Sequence, residues 1–570
     1  MVYDNKRRVR YEGPDGGLTM KRAIWIGGAV AGLFLLGIGG LALKDYVILH
    51  MAGWRGGPVG PNRPVVWEAG PATPAMAPAD RPPNVIVILA DDLGFNDISL
   101  NGGLGDGTVP TPHIDALARG GAILAEGYAG NATCSPSRAA LMTGRYPTRF
   151  GFEFTSVPVQ MARLLPTLSR KDNEMRPVFR SDRVDQVPPY EQMGVPAGEI
   201  TIAELMQSRG YHTMHLGKWH LGETAGMRPE DQGFDESLGF MVGAQMFLPE
   251  RDPNVVNSRQ SFDPLDRFLW ANLPYSVQYN GGQRFHPDRY MTDYLTDQAL
   301  AGIRANRNRP FFMYLAYNAP HTPLQALKSD YDALSHITNH RERVYAAMII
   351  ALDRGVGRIM NELKAQGLDD NTLVVFSSDN GGANYIGLPN INKPFRGWKL
   401  TFFEGGIRVP YYMNWPARIP AGTRMSAPVS HFDIFATAAA AAGAPLPTDR
   451  RMDGVDLTPF LADGRAGRPH EALFWRSGGY RVVRSGDWKL QVLDRPARVW
   501  LYDLAKDPTE KTNLAASRPE VVARLRAELQ AHDATQMAPK WPALVEAPVG
   551  VDRTGEEPIR PGDTYVTWSN

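Results

Sequence analysis

Three apolar segments and one short strand-like segment of this chain each lead into polar side chains, and this repeated pattern restricts the fold more than any other feature. Segments of this length and composition are typical of strands buried on both faces of a parallel sheet. They cover residues 85–90, 211–215, 310–317 and 371–378. Because ligands bind at the carboxyl edge of open α/β sheets, we expect the polar residues that follow to meet there.

Helical patterns lie between these segments, over residues 200–209, 293–305 and 343–365. Strands that alternate with helices in this way predict an α/β fold with a doubly wound sheet. Polar residues at the end of a single strand are common in turns and need no functional explanation. Polar residues at the ends of four strands on one edge of the sheet predict a functional site.

The side chains at this edge indicate a hard cation and an anionic substrate. Oxygen ligands suit Ca²⁺ or Mg²⁺ and argue against zinc, and they come from Asp91, Asp92, Asp379 and Asn380. Hydrogen-bond donors and proton carriers come from Arg138, Lys218, His220, His321 and Lys399. A cation with several fixed positive side chains stabilises the charge that builds on a tetrahedral oxyanion during group transfer.

Cys134 is the only cysteine among 570 residues, so it cannot form an intrachain disulfide. Pro136 follows it and residues 137–142 predict a helix, which places the thiol at a helix N-terminus. Backbone N–H groups favour an anion there. A lone cysteine is usually a small buried hydrophobe, and the residues around Cys134 decide between the two interpretations.

The segment Cys134-Ser135-Pro136-Ser137-Arg138, followed by Thr143-Gly144-Arg145, resembles the signature of the type I, formylglycine-dependent sulfatases of the alkaline phosphatase superfamily. Further segments are similar to motifs of that family in the expected order, at residues 91–94, 217–222, 319–323, 378–382, 394–410 and 475–508. The resemblance runs from about residue 84 to about residue 535.

The resemblance adds a smaller C-terminal α+β subdomain, an antiparallel sheet with a helix near residues 519–532. The predicted fold is therefore a large doubly wound sheet, mixed but mostly parallel and flanked by helices, with that subdomain. We expect a catalytic domain at residues 84–465 and the C-terminal subdomain at residues 466–570.

The resemblance also implies a mechanism. A formylglycine-generating enzyme would convert Cys134 to formylglycine (3-oxoalanine), and Asp91, Asp92, Asp379 and Asn380 would bind Ca²⁺, with Mg²⁺ as the alternative ion, together with an oxygen of the modified Cys134. One hydroxyl of the hydrated aldehyde would attack sulfur. His321 and Lys399 would protonate or neutralise the leaving oxygen. Arg138 and Lys218 would stabilise the oxygens of the diol and of the sulfuryl group. His220 would remove the proton from the second hydroxyl. The expected products are inorganic sulfate and an alcohol or phenol.

Two other functions compete with this interpretation. Phosphonate monoester and phosphodiester hydrolases of the same superfamily share the cysteine signature in some cases, but their second metal pair is commonly Asp-His, whereas here it is Asp379 and Asn380. An inactive sulfatase-like binding protein would need a broken site, and no expected position departs from the pattern.

The N-terminal region predicts a membrane anchor. Residues 23–43 are apolar and long enough to cross a bilayer, and basic residues precede them, so we expect a cytoplasmic tail at 1–22 and a transmembrane signal anchor at 23–49. A Pro-, Gly- and Ala-rich linker follows at 50–83. The catalytic domain would then be exported, to a bacterial periplasm, and a cleaved signal peptide with a periplasmic or secreted product is the alternative.

Partners and substrate are less constrained. The 61 Lys and Arg residues balance 60 Asp and Glu residues, which shows no overall bias toward nucleic acid. The expected substrate is a small-molecule or carbohydrate sulfate ester. Two segments could line the mouth of the site or be surface insertions: residues 156–196, rich in arginine, and residues 240–290, rich in aromatic residues.

Overall fold

The structure, a computed structural model, describes residues 57–77, 80–169 and 176–570, together with Met1. The predicted cytoplasmic tail, the transmembrane anchor and the first part of the linker lie outside the described residues. Among the described residues, no helix is both long enough and apolar enough to cross a membrane. Within the described part of the predicted linker, Trp67 is buried, and its indole nitrogen donates a hydrogen bond to Gln298 at 3.1 Å.

A mixed, mostly parallel sheet of nine strands forms the centre of the fold. The nine strands are β1 (Asn84–Ala90), β2 (Ala122–Leu124), β5 (His212–Lys218), β6 (Glu236–Phe240), β8 (Gln278–Tyr279), β9 (Phe311–Ala316), β11 (Thr372–Ser378), β12 (Tyr411–Asn414) and β13 (Thr423–Met425). They lie in the order β13-β2-β12-β11-β1-β9-β5-β6-β8, and the central strands β11, β1, β9, β5 and β6 run parallel. The predicted fold class is therefore confirmed.

Helices connect and cover these strands. They are α1 (Pro112–Arg119), α2 (Cys134–Thr143), α3 (Val159–Leu168), α4 (Ile202–Gln207), α5 (Pro264–Asn272), α6 (Met291–Asn306), α7 (Lys328–Ala333), α8 (His340–Ala365), α9 (Glu404–Ile407), α10 (Phe432–Ala441), α11 (Thr458–Leu461) and α12 (Pro519–Asp533). Three of them, α4, α6 and α8, correspond to the predicted helices between strands. Helix α4 begins with a capping box, since the Thr201 hydroxyl accepts from the Glu204 N–H and the Glu204 carboxylate accepts from the Thr201 N–H.

The strand predicted at residues 211–215 continues to Lys218. Gly217 and Lys218 pair with Gly239 and Phe240 of β6, and Lys218 is fully buried. A polar residue normally marks the end of a buried strand in sequence. Here the strand continues because the lysine has a buried carboxylate partner, Asp91.

The C-terminal region contains a four-stranded antiparallel sheet and helix α12, as predicted. Its strands are β15 (Ala472–Ser477), β16 (Tyr480–Ser485), β17 (Trp488–Leu493) and β18 (Arg498–Asp503). A buried ion pair attaches it to the rest of the molecule, because the Lys489 ammonium lies 2.8 Å from a carboxylate oxygen of Glu404 on α9. Within the C-terminal region the same ammonium lies 3.0 Å from a carboxylate oxygen of Glu510.

Three small sheets complete the fold, and none of them was predicted. Strand β19 (Val545–Gly550) pairs on one side with β20 (Tyr565–Ser569) and on the other with β4 (Val178–Phe179), a strand from the arginine-rich segment. The other two pairs are β3 (Gly127–Tyr128) with β14 (Val429–Ser430), and β7 (Val255–Ser258) with β10 (Leu324–Leu327). The sheet that joins β4 to β19 has no local sequence signal, since its strands come from distant parts of the chain.

The register of the central strands aligns their carboxyl ends. Ala90 of β1 lies opposite Ser378 of β11, while Ala316 of β9 lies opposite both Leu89 and Gly217. The residues that follow these strands must therefore come together at one edge of the sheet.

Candidate active site

Cys134 is the first residue of helix α2 and is buried at this edge. Its sulfur lies 3.2 Å from the Lys399 ammonium, 3.6 Å from a carboxylate oxygen of Asp91 and 3.9 Å from one of Asp92. Burial, reinforced by the charge of Asp379, raises the pKa of the thiol to about 12. The unmodified thiol is therefore neutral at neutral pH and a weak nucleophile.

The two acids after β1 bind different lysines. Both carboxylate oxygens of Asp91 accept hydrogen bonds from Lys218 at 2.8 Å, whereas those of Asp92 accept from Lys399 at 2.8 and 2.9 Å. Burial raises the pKa of Asp91 to about 7 in spite of Lys218. Burial acts in the same direction on Asp92, but Lys399 and His321 outweigh it, so the pKa of Asp92 is lowered.

Asp379 and Asn380, after β11, complete the acidic group. The Asp379 carboxylate accepts from Arg138 Nε at 2.9 Å and from the Asp92 N–H at 3.1 Å. The Asn380 amide nitrogen donates to Asp92 at 2.8 Å, and its carbonyl oxygen is buried with no hydrogen-bond partner. Burial would raise the pKa of Asp379, yet the neighbouring cations Arg138, Lys218 and Lys399 outweigh burial and lower it.

Three buried cations surround these three carboxylates. Arg138, on helix α2, reaches Asp379 with its terminal nitrogen at 2.8 Å and donates to the Lys218 carbonyl at 3.1 Å. Because buried charges are stable only when they are paired, the sequence must supply the acids and bases in matching number here. An anion entering this site meets lysines that are already held in place.

Two histidines, His220 and His321, also lie at this site. His321 Nε2 lies 3.6 Å from Asp92 and 3.4 Å from Lys399 Nζ, and its Nδ1 contacts the Thr322 carbonyl at 2.5 Å. Burial lowers the pKa of His321 to about 3 and that of His220 well below its usual value, the latter assisted by the charges of Lys218 and Arg138. Both imidazoles are neutral at neutral pH, and His220 Nδ1 is buried with no hydrogen-bond partner.

Backbone conformation at the site is unusual. Asp92 and His220 have φ values of 61° and 59°, in the left-handed region that residues with a Cβ seldom occupy. Residues in such conformations cluster at functional sites, where surrounding structure holds them in place. Here the Asp92 side chain is bonded to Lys399, and His220 lines the cavity beside Cys134.

All predicted site residues meet at this edge of the sheet. Among the described residues, Asp91, Asp92, Cys134 and His321 form a group that could hold a metal ion, since their ligand atoms lie within 4.8 Å of one another. His321 was predicted as a proton carrier and not as a ligand. Asp379 and Asn380 contact this group through Asp92.

Two residues at the site were missed from the sequence. The Tyr385 hydroxyl donates to Asp92 at 2.9 Å. His431, fully buried, lies between Ser137 of α2 at 3.2 Å and Ser377 of β11 at 3.0 Å. Tyr385 lies five residues after Asn380, and this closeness in sequence is only weak evidence that it belongs to the site. No local pattern distinguishes His431 from other buried histidines.

Comparison with known proteins explains this arrangement. The family model "Sulfatase" matches residues 83–444, which is more than half of the chain. The chain belongs to the sulfatase family. A second model, "N-sulphoglucosamine sulphohydrolase, C-terminal", matches residues 397–535 of this sulfatase.

Curated relatives and solved structures agree. The sulfatase is 33% identical to the N-acetylgalactosamine-6-sulfatase of Mus musculus over 72% of each chain, and 31% identical to the steryl-sulfatase of the same organism over 82% of this chain and 84% of that one. Among solved structures, the crystal structure of Ps i-CgsB in complex with k-i-k-neocarrahexaose matches this fold with a TM-score of 0.66 and a sequence identity of 33%. The match covers 81% of this chain and 95% of that one. This sulfatase is therefore a sulfuric ester hydrolase of the arylsulfatase type.

Proposed function

We propose that this sulfatase releases inorganic sulfate from sulfate monoesters by means of a formylglycine formed from Cys134 and a Ca²⁺ ion, or Mg²⁺, bound beside it. The observation that supports this most directly is the position of the sole cysteine. It lies at a helix N-terminus, within 4 Å of both Asp91 and Asp92 and of the Lys399 ammonium.

The residues present fit a hard divalent cation. Asp91, Asp92, Asp379 and Asn380 offer only oxygen atoms, and the buried Asn380 oxygen lacks any hydrogen-bond partner in the described structure. We assign these four residues as ligands, together with the modified Cys134. When bound, the ion would supply Lewis-acid stabilisation of negative charge on oxygen.

A formylglycine would explain why a cysteine in this environment is useful. The thiol itself is held neutral, whereas a hydrated aldehyde offers two hydroxyl groups, one to attack sulfur and one to provide a route for sulfate release. Conversion requires a formylglycine-generating enzyme, which we propose as the partner in maturation.

The remaining side chains are placed to bind sulfate and move protons. Lys399 and His321, 3.4 Å apart, would protonate or neutralise the leaving oxygen. Arg138 and Lys218 would hold the oxygens of the nucleophile and of the sulfuryl group. His220, neutral and with a free nitrogen, would accept a proton as the general base.

Mass spectrometry of the peptide that contains Cys134 tests this proposal. Active protein should carry an aldehyde in place of the thiol, and Cys134→Ala should reduce sulfate release to background. A chelator should abolish activity, and added Ca²⁺ should restore it. An unmodified thiol in fully active protein would refute the proposed nucleophile.

Selectivity tests the phosphonate and phosphodiester alternative. Neutral Asn380, in place of a histidine, adds no ionisable group beside the ion, which favours the singly charged sulfate monoester over the nearly doubly charged phosphate monoester. The phosphodiester and the phosphonate monoester are singly charged as well, so against them the expectation rests on the Asp379 and Asn380 pair, since their hydrolases commonly have Asp-His there. We expect kcat/KM for an aryl sulfate to exceed that for the matching phosphate monoester, phosphodiester and phosphonate. A preference for the phosphodiester or the phosphonate would reverse the assignment.

We also propose that residues 23–49 anchor the protein in a membrane, with the catalytic domain exported to the periplasm. The support is the apolar run at residues 23–43 with its preceding basic residues. Intact protein that sediments with membranes and retains its N-terminus is expected. A soluble mature protein that begins near residue 78 would show that the segment is cleaved.

A further inference from the structure

An apolar cavity of about 190 Å³ adjoins Cys134, His220, His321 and Lys399. Two helices form one of its walls. Met161 and Leu165 project from α3, and Leu265 and Leu269 project from α5. In each helix the two residues are four positions apart and so lie on one face.

Strands β19 and β20 provide another wall, through Val545, Ala547 and Trp568. These three residues lie outside both matched family ranges, 83–444 and 397–535. The wall is held in place by pairing of β19 with β4 and by contact of Trp568 with Phe402, whose ring centroids are 5.2 Å apart. This wall is therefore formed by residues that neither family model matches.

Polar side chains in this cavity have little hydrogen-bonding capacity left. The Ser156 hydroxyl donates to the Met193 carbonyl at 2.7 Å. The Asn570 side chain is bonded to both the N–H and the carbonyl of Thr155, at 2.8 and 3.1 Å. The Thr155 hydroxyl is buried with no partner and can still bond a ligand. A sugar ring, with several hydroxyl groups, would lose more hydrogen bonds to water than it could regain here.

The cavity continues outward into a groove of about 530 Å³. The two share six lining residues, Leu165, Leu265, Tyr385, Leu400, Val545 and Ala547. Among the described residues that line them, Lys399 is the only lysine or arginine, whereas three acids, Asp263, Glu556 and Glu557, line the groove beside its apolar residues. Within this described lining, a polysulfated carbohydrate would therefore meet no further cation for its other sulfate groups.

The described arginines of the 156–196 segment do not change this conclusion. Arg180 pairs with Asp182 and Glu546, Arg183 donates to the Ala543 carbonyl, and the Arg163 guanidinium lies over the Phe179 ring. None of the four described arginines of that segment lines the cavity or the groove.

We propose that the cavity and groove bind the alcohol portion of the substrate as a lipophilic ring system, so that the enzyme selects aryl or sterol-like sulfate esters over carbohydrate sulfates. This inference rests on the proposed function in one respect only, namely that the sulfate group of the substrate binds beside Cys134. A cavity of ~150 Å³ lined by apolar side chains is known to hold a benzene ring, so the inner cavity has room for the ring that bears the sulfate. The rest of the ring system would lie in the groove.

Binding to the Cys134→Ala protein, measured by titration calorimetry, tests this without catalysis. Estrone 3-sulfate carries a phenolic ring and an extended apolar body, and N-acetylgalactosamine 6-sulfate carries the same anion on a polar ring. We expect a Kd at least about tenfold lower for estrone 3-sulfate, since pocket contacts of a few methylene groups discriminate by this much or more. Equal binding, or tighter binding of the sugar, would overturn the inference.

Variants locate the binding surface. The double variant Met161→Gln, Leu165→Gln places polar groups on a half-buried face and should raise the Kd for estrone 3-sulfate about tenfold or more. Leu164→Gln, on the same helix but outside the lining, should leave it unchanged. An unchanged Kd in the double variant would contradict the assignment.

Turnover separates the two proposals. If matured protein releases sulfate from the sugar ester faster than from estrone 3-sulfate, the activity stands and the apolar selectivity is wrong. If estrone 3-sulfate binds tightly and in the manner described but no ester is hydrolysed, the apolar site stands and the proposed catalytic function is wrong.

Discussion

The Lys399 ammonium lies 3.2 Å from the Cys134 sulfur. The same ammonium donates to both carboxylate oxygens of Asp92, at 2.8 and 2.9 Å. One side chain therefore contacts the nucleophile precursor and a proposed metal ligand. Burial opposes charge on Lys399, but Asp92 outweighs burial and raises its pKa well above the usual value, so it stays a cation.

Replacing Lys399 should impair the chemical step. Lys399→Met retains the length of the side chain and removes the charge that would stabilise the leaving oxygen. We expect kcat to fall by roughly 10²–10³-fold, as it does when one stabilising donor is removed from an active site. Steady-state kinetics with an aryl sulfate checks this. Lys393→Met, at an exposed position in the same segment, is the control, and equal activity of the two variants would disprove the role.

His220→Ala tests the proposed general base. Removal of a base that acts in the reaction lowers kcat by roughly 10²–10⁴-fold, and we expect a change in kcat far larger than that in KM. His336→Ala, an exposed histidine, should retain full activity. A His220→Ala enzyme that turns over normally would show that another group accepts the proton.

His431 should support the site without touching the substrate. The Ser377 hydroxyl donates to the Pro410 carbonyl at 2.9 Å, so it accepts from His431 Nε2–H and leaves Nδ1 to accept from Ser137. His431→Ala removes one hydrogen-bond partner from each of the Ser137 and Ser377 hydroxyls and leaves an empty space where the imidazole was. We expect a loss of roughly 2–4 kcal/mol in the free energy of unfolding, measured by denaturant titration.

His470 should make stability depend on pH in a definite direction. Its Nε2 lies 2.8 Å from Asp433, and although burial opposes the charge, Asp433 outweighs burial and raises the pKa of His470. The folded state therefore binds the proton more tightly than the unfolded state does. This contribution to stability is complete below the ordinary histidine pKa of about 6.5 and is lost as the pH rises through the folded-state value.

The variant His470→Gln isolates that contribution. The difference in Tm between wild type and variant should be larger at pH 5.5 than at pH 8.5. The comparison with wild type at each pH cancels the effect of the other histidines, several of which have lowered pKa values and act in the opposite direction. A difference in Tm that grows with pH would contradict the assignment.

The sequence alone determined the sheet edge and most of the site. Apolar runs that end at Ala90 and Ser378 predicted parallel strands, and parallel strands bring their carboxyl ends together whatever their order in the chain. Asp91, Asp92, Asp379 and Asn380 could therefore be grouped before any contact was known. The position of Cys134 at a helix start also follows from local signals, because Pro136 and the residues after it favour a helix there.

Only the tertiary structure decided which charges pair and what encloses the substrate. Local sequence does not distinguish Lys218 from Lys399, yet the fold gives Asp91 to the first and Asp92 to the second. Likewise β19 meets β4 although their residues are far apart in the chain, and this contact positions Val545 and Ala547 beside the cavity. The physical reason is that periodicity and caps report each segment's own conformation and burial, whereas pairing of buried charges and closure of an apolar wall depend on how distant segments pack.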